Sequence, residues 1–261
     1  MSTDRAGPGF HIERFSRARE VVIDVMIPAR KKHMIHVPFE ADVTEVRQLL
    51  KRRQAETRNA PSLTAFLIKC AADAAATDPR LTSRRIGRRK LAVFDDIHVA
   101  CMVEAEVDGQ SHPLSCPIRN ANRKTVDEIH GMLRDFTDED KQTQIDTIRK
   151  FARVPRAFRA TFVSTFTRNP AFIVSQGFNL LFTSIGKFGA GGGHLIPYTQ
   201  YSPCIGVGGI ATKPGIVGDR IEPREILSIT ATYDHDITDG APAARFAQAL
   251  RELIERQHGL A

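Results

Sequence analysis

The chain has 261 residues, 42% of them hydrophobic and 26% charged, which is enough to bury a full core and excludes a disordered or fibrous chain. It contains no apolar run approaching the ~18 residues of a membrane helix, and its first stretch, MSTDRAGPGFHIERFSRARE, lacks the apolar centre of a signal peptide. The net charge of +7 is concentrated in residues 141–168, which hold seven Lys/Arg and one Asp; no helix-turn-helix, RNP-like motif or zinc finger accompanies them, which argues against a nucleic-acid binder.

In chain order, residues 1–17 are polar with Gly and Pro and are expected to form a flexible arm, ahead of one domain over 18–261. HVPFEADVTEVRQLLKRRQAE predicts a strand running into a helix whose apolar stripe is Val43, Val46, Leu49 and Leu50. SLTAFLIKCAADAAA predicts a more buried helix, N-capped by Ser62 and stopped at Asp78-Pro79. The basic RLTSRRIGRRK that follows is expected to be offset by Asp95, Asp96, Glu104 and Glu106. LAVFDDIHVACMVEAEVDG reads as one or two strands ending in an Asp108-Gly109 turn. HPLSCPIRNANRKTVDEIHGMLRDFT gives a short strand, a polar turn and a helix with Val126, Ile129 and Leu133 inward; Cys116, in the apolar strand, is expected in the core and not as a nucleophile. The four cysteines form no CxxC pair, which gives neither a metal site nor a disulfide framework and suits a reducing cytoplasm.

In residues 141–168, Ile145, Ile148, Phe158, Phe162 and Phe166 recur at helical steps, with Arg149, Arg153, Arg156 and Arg159 off that stripe. Pro155 divides them into two short amphipathic helices. FNLLFTSIG and CIGVGGIAT are strands, and the KFGAGGGH between them is expected to be a flexible hairpin connection, since GAGGGH lacks GxxxxGK[ST] and a following helix. EILSITATY alternates Leu227, Ile229, Ala231 and Tyr233 against Ser228, Thr230 and Thr232, the pattern of a half-buried strand. APAARFAQALRELIERQ places Phe246, Leu250, Leu253 and Ile254 on one side of a closing helix. Strands and helices are mixed with no repeat and no linker, which predicts a single α/β domain.

Between the last strand and that helix lies YDHDITDGAPAARF, residues 233–246. Two readings of its residues stand: a base at the mouth of a channel, or a polar turn in which Asp239-Gly240 bends the chain and Asp239 caps the helix. The DHxxxDG pattern resembles the signature of the catalytic domain of dihydrolipoamide acyltransferases of 2-oxo acid dehydrogenase complexes, whose HxxxDG core is shared with chloramphenicol acetyltransferase. HVPFEADVTEVRQLLKRRQ, LTAFLIKCAADAAATDPRL, LSCPIRNANRKTVDEI, and FTSIGKFG followed by HLIPY resemble further blocks of that family in the same order, covering about residues 18–140 and 177–257.

The resemblance implies a two-layer chloramphenicol acetyltransferase-like sandwich, a mixed β-sheet with helices packed on it. It implies an acyltransferase that moves an acyl group between a coenzyme A thioester and an acceptor thiol or hydroxyl, in a homotrimer with active sites between subunits. His235 takes the place of the general base that deprotonates the attacking thiol, Thr183 that of the serine oxyanion donor, and Asp239 that of the acid that braces the loop. Ser184 stands beside the donor, where Asn or Ser is usual. His194 and the Pro of HLIP match a histidine and proline of the family. Asp236 departs from it, standing where those enzymes usually carry Arg, and so do residues 141–176, a basic insertion where the family has a short linker. No metal and no covalently bound lipoyl are expected in this chain, so an acidic carrier or lipoyl domain would act in trans. For the insertion three readings stand: solvated arginines over a packed stripe, a docking surface for an acidic carrier or for coenzyme A phosphates, or adsorption to an anionic membrane surface. A non-catalytic trimeric scaffold of the same fold is the alternative to an enzyme.

Overall fold

A computed structural model of the protein describes residues 4–7, 9–12, 15–57, 60–107, 110–166, 169–186 and 191–260. The Asp108-Gly109 turn and Gly189 of the glycine run lie outside them. Where a flexible arm was expected, β1 (Asp4–Gly7) and β2 (Phe10–Ile12) pair as an antiparallel hairpin and α1 (Arg17–Val25) follows. Then come β3 (Met34–Asp42), α2 (Thr44–Thr57), α3 (Leu63–Ala76), a small hairpin of β4 (Arg84–Ile86) and β5 (Lys90–Ala92), β6 (Val99–Val107) and β7 (Gln110–Ile118). After α4 (Val126–Arg134) the inserted segment forms α5 (Asp138–Ala152), α6 (Arg156–Phe166) and α7 (Pro170–Gln176). The chain closes with β8 (Leu180–Ser184), β9 (Cys204–Val217), β10 (Arg220–Asp234) and α8 (Gly240–Glu255).

The central sheet has the order β3-β10-β9-β8-β6-β7, with β8 parallel to both β6 and β9 and the other pairs antiparallel. The fold is therefore the mixed-sheet α/β class that the sequence predicts. Helices α3, α4 and α8 cover one face: Phe66, Ile68, Ile129, Phe246 and Leu250 pack there against Val99, Phe182, Ile205, Ile229 and Tyr233. The Ser62 hydroxyl caps α3 by accepting the Ala65 N–H at 3.2 Å, and Thr125 and Glu128 form a reciprocal capping box that starts α4.

Two expectations about the last strands fail for one reason. Because β8 and β9 are parallel, their connection cannot be a hairpin and must return the chain to the far end of the sheet. The crossing chain lies on the face opposite the helices, so β10 is buried on both sides: Ser228, Thr230 and Thr232 are as inaccessible as Ile229 and Ala231. Glycines permit this contact. A Cβ on Gly206 would stand 2.8 Å from the Leu195 carbonyl oxygen, and one on Gly208 would collide with the Gly193 carbonyl oxygen. The Gly209 N–H instead donates to the Gly193 carbonyl at 3.1 Å.

Pro155 separates α5 from α6, as the sequence predicts for this stretch, yet α6 faces the other way. Arg159 is only 2% exposed and Val163 is buried, while Phe158, Phe162 and Phe166 are exposed. The Arg159 Nε donates to Asp24 of α1 at 2.7 Å, its Nη1 to the Ala152 and Val154 carbonyls and its Nη2 to Glu20 at 3.3 Å, so a guanidinium with four of its five donors engaged takes the inner position. The outward rings stack on one another, Phe162 on Phe166 at 4.1 Å, with Phe172 edge-on to Phe166 at 5.5 Å. Solvated-arginine and docking readings therefore do not apply to Arg159.

Candidate active site

Asp234 ends β10 and shapes the turn after it. Its Oδ1 accepts the Asp236 N–H at 3.2 Å and its backbone carbonyl accepts the Ile237 and Thr238 N–H groups, an Asx-type turn. Its Oδ2 holds the Lys32 ammonium at 2.6 Å, and its own N–H donates to the Ser202 hydroxyl at 2.9 Å. Asp236 is clasped by His33 Nδ1 at 2.8 Å and Arg85 Nη1 at 3.0 Å. The bond from His33, together with the Arg85 charge, keeps its carboxyl below the usual carboxylate range. The His33 carbonyl also accepts the His235 N–H at 2.8 Å. Both acids beside the histidine thus anchor the turn to the residues just before β3, to β4 and to the crossing chain, and His235 is left at the end of β10 with its side chain half exposed.

Among the described residues, the carboxylate within ion-pair distance of the His235 ring is Asp239, whose Oδ1 lies 3.6 Å from Nδ1, too long for a hydrogen bond and close enough for an ion pair when the ring is protonated. Asp239 occupies the N-cap position of α8 but makes no capping bond, so the purely structural reading of that residue finds no support here. His235 and Asp239 are brought together; Thr183 is not near them. Thr183 on β8 is in register with Gly206 on β9 and Thr230 on β10, two strands across the sheet and five residues short of His235. At standard strand spacing and rise that is a separation of roughly 19 Å.

Thr183 is half-buried on the face opposite the helices, and its hydroxyl has no hydrogen-bond partner among the described residues, which leaves it free to donate. Ser184 is exposed at the strand end and its Oγ accepts the Gly186 N–H at 3.2 Å. His194 Nδ1 lies 3.2 Å from the Ile229 carbonyl, so this histidine helps to fix the crossing chain on the sheet. Cys116 is buried in β7 and burial pushes its thiol up to about 11, as befits a core residue. The residues that sequence reasoning missed are His33, Lys32 and Arg85. The acids that meet the basic stretch of 80–90 include Asp236, 151 positions from Arg85 in the sequence, not the neighbouring acids expected. Nothing local in the sequence signals that pairing.

The sequence profile of the 2-oxoacid dehydrogenases acyltransferase (catalytic domain) family matches residues 8–148 and 175–261, leaving out most of the inserted helices. The dihydrolipoyllysine-residue succinyltransferase component of the 2-oxoglutarate dehydrogenase complex of Staphylococcus saprophyticus is 25% identical over 256 residues, 95% of this chain and 53% of that protein. The lipoamide acyltransferase component of the branched-chain alpha-keto acid dehydrogenase complex of Pseudomonas putida is 22% identical over 237 residues, 87% of this chain and 48% of that protein. The chain thus spans about half the length of these two relatives. Among solved structures, the dihydrolipoamide acetyltransferase of Azotobacter vinelandii superposes with a TM-score of 0.72 at 19% identity, covering 100% of this chain and 98% of that one. That structure was determined to examine a serine, a histidine and an asparagine in the catalytic mechanism. The cubic core of the pyruvate dehydrogenase multienzyme complex superposes with a TM-score of 0.70, also at 19% identity. With the profile matched over nearly the whole chain outside the insertion, this chain belongs to the 2-oxoacid dehydrogenase acyltransferase family and carries its catalytic domain.

Proposed function

We propose that the protein transfers an acyl group between a coenzyme A thioester and an acceptor thiol or hydroxyl, using His235 as general base and the Thr183 hydroxyl of a neighbouring copy as oxyanion donor. The observation that carries this reading is the pairing of an exposed His235 with Asp239 on a turn whose other acids are both committed to anchoring it. The serine-to-histidine and histidine-to-asparagine intervals named for the Azotobacter vinelandii enzyme equal those from Thr183 to His235 and from His235 to Asp239. Threonine keeps the hydroxyl of that serine, and aspartate replaces the asparagine.

The chemistry follows from what each group can do. A thiol of pKa ~8.5 is mostly protonated at neutral pH and needs a base of imidazole strength to attack. Asp239, on the Nδ1 side, favours a proton there and leaves Nε2 to accept the thiol proton. The thiolate adds to the thioester carbonyl, the tetrahedral oxyanion accepts a hydrogen bond from the Thr183 hydroxyl, and collapse expels the other thiolate, which takes the proton back from His235. Catalytic hydrogen bonds are often long before substrate is bound, so the 3.6 Å contact suits an empty site.

Because Thr183 and His235 of one chain stand roughly 19 Å apart at standard strand spacing, one copy cannot hold both groups against a single reacting carbonyl. That supports a homotrimer with shared sites, completed by residues of adjoining copies. The four free, buried cysteines suit a reducing cytoplasm. The reading is tested by incubating the protein with a panel of acyl-coenzyme A thioesters and reading free-thiol release with and without dihydrolipoamide. Release that requires an acceptor and is lost in His235→Ala supports it; no release with any thioester favours a non-catalytic scaffold.

A further inference from the structure

We propose that the cleft behind the His235 turn is a binding site for a phosphate or diphosphate group. The cleft, of about 390 Å³, lies between the segment after α1, the β4–β5 hairpin and the end of β10. It is lined by five cations, Lys31, Lys32, Arg84, Arg85 and Arg88, against two carboxylates, Asp234 and Asp236. Those carboxylates are already engaged by Lys32 at 2.6 Å and by Arg85 at 3.0 Å. Among the described residues, no further carboxylate forms an ion pair with Lys31, Arg84 or Arg88, so positive charge is in excess.

Arg84 is the decisive residue. It is 6% exposed, and among the described residues its guanidinium makes a single hydrogen bond, from Nη1 to the Ser202 carbonyl at 3.2 Å. The Tyr201 ring stands 5.8 Å from the guanidinium carbon. A guanidinium carries five N–H donors, and a buried charge with most of them unused is costly unless something else accepts them. Burial accordingly pulls the Arg84 pKa down, and it lowers that of Lys32 too, with the Arg84 charge as the next cause. A planar fork at the floor, flanked by lysines and by the exposed Arg88, matches the several oxygens and the two or more negative charges of a phosphoryl group.

Two sources share this chemistry: free phosphate or pyrophosphate, and the phosphate-bearing tail of a nucleotide-linked thiol. The second rests on the proposed acyl transfer and the first does not. The test is calorimetric titration of the intact protein with pyrophosphate, with coenzyme A and with pantetheine, which has no phosphate. The site predicts saturable pyrophosphate binding that weakens about tenfold or more in Arg84→Gln, the loss of one charge-assisted bond. Binding should also weaken in Lys31→Gln and in Arg88→Gln, which alter only exposed side chains and keep the test open if Arg84→Gln does not fold. If coenzyme A binding falls in parallel while pantetheine binding does not, the occupant is the nucleotide tail. If only pyrophosphate binding falls, it is a free anion. Absence of saturable pyrophosphate binding, or binding unchanged in the folded variants, overturns the proposal whatever the acyltransferase assay shows.

Discussion

Mixing two inactive variants should restore activity. His235→Ala removes the base, expected to cost roughly 10²- to 10⁴-fold, and Thr183→Ala the oxyanion donor, expected to cost about 10²- to 10³-fold. Each group must reach within about 3 Å of the reacting atoms. The register sets the two groups roughly 19 Å apart in one chain, so the pair that acts together must come from different copies. In trimers assembled at random from equal amounts of the two variants, about one shared site in four receives an intact His235 from one copy and an intact Thr183 from the next. The mixture should therefore regain about a quarter of wild-type turnover, against at most about one part in a hundred for either variant alone. The assay is thioester consumption after subunit exchange in mild denaturant, with mixed oligomers counted by native mass spectrometry of differently tagged chains. Activity equal to the average of the two parents, with mixed oligomers present, would place both residues in one site of one chain and refute the reasoning.

Three further outcomes follow from the same geometry. Arg159→Ala removes the buried partner of the Asp24 carboxylate, which is 1% exposed, and leaves it only the exposed Arg156 at 3.3 Å, so it should cost about 3 kcal/mol in urea unfolding, whereas Arg153→Glu on the exposed surface should stay within about 0.5 kcal/mol; equal effects would contradict the buried pair. Gly208→Ala drives a methyl into the Gly193 carbonyl, so it should lower the melting temperature and increase proteolytic nicking within 191–203, and a wild-type melting curve would remove the close contact from the account. Asp236 has a depressed folded-state pKa, so the stability from its clasp is present above the ordinary carboxylate range and is lost as pH falls through about 4 and below. The stability gap between wild type and Asp236→Asn should be full near neutrality and close in acid; a gap that widens in acid has the wrong sign.

Most elements were legible because their residues speak locally. Ser62 and Asp78-Pro79 bound α3 as predicted, Val43 and Val46 mark the buried stripe at the start of α2, and Pro155 breaks the insertion where it should. The errors that bear on the core and the site are long-range. Alternation in EILSITATY identifies one buried face and is silent on whether a crossing chain covers the other, a contact decided by glycines at 193, 206 and 208. Helical periodicity likewise finds the stripe of α6 but cannot tell which side is inward, because Arg159 goes inside only by meeting Asp24 on α1, 135 positions away. At the site, the histidine motif was readable from its spacing, while its supports, Lys32, His33 and Arg85, come from strands and turns far along the chain. The β9–β10 hairpin extends further than expected since Pro214, Gly215 and Pro223 mask its strand pattern.

The most direct measurement of the central claim is steady-state transfer from an acyl-coenzyme A to dihydrolipoamide by wild type and by His235→Ala, with circular dichroism to confirm that both are folded. If His235 is the base, the folded variant loses roughly 10²- to 10⁴-fold in kcat/KM. Equal kcat/KM for the two folded proteins would contradict the assignment of His235 to catalysis.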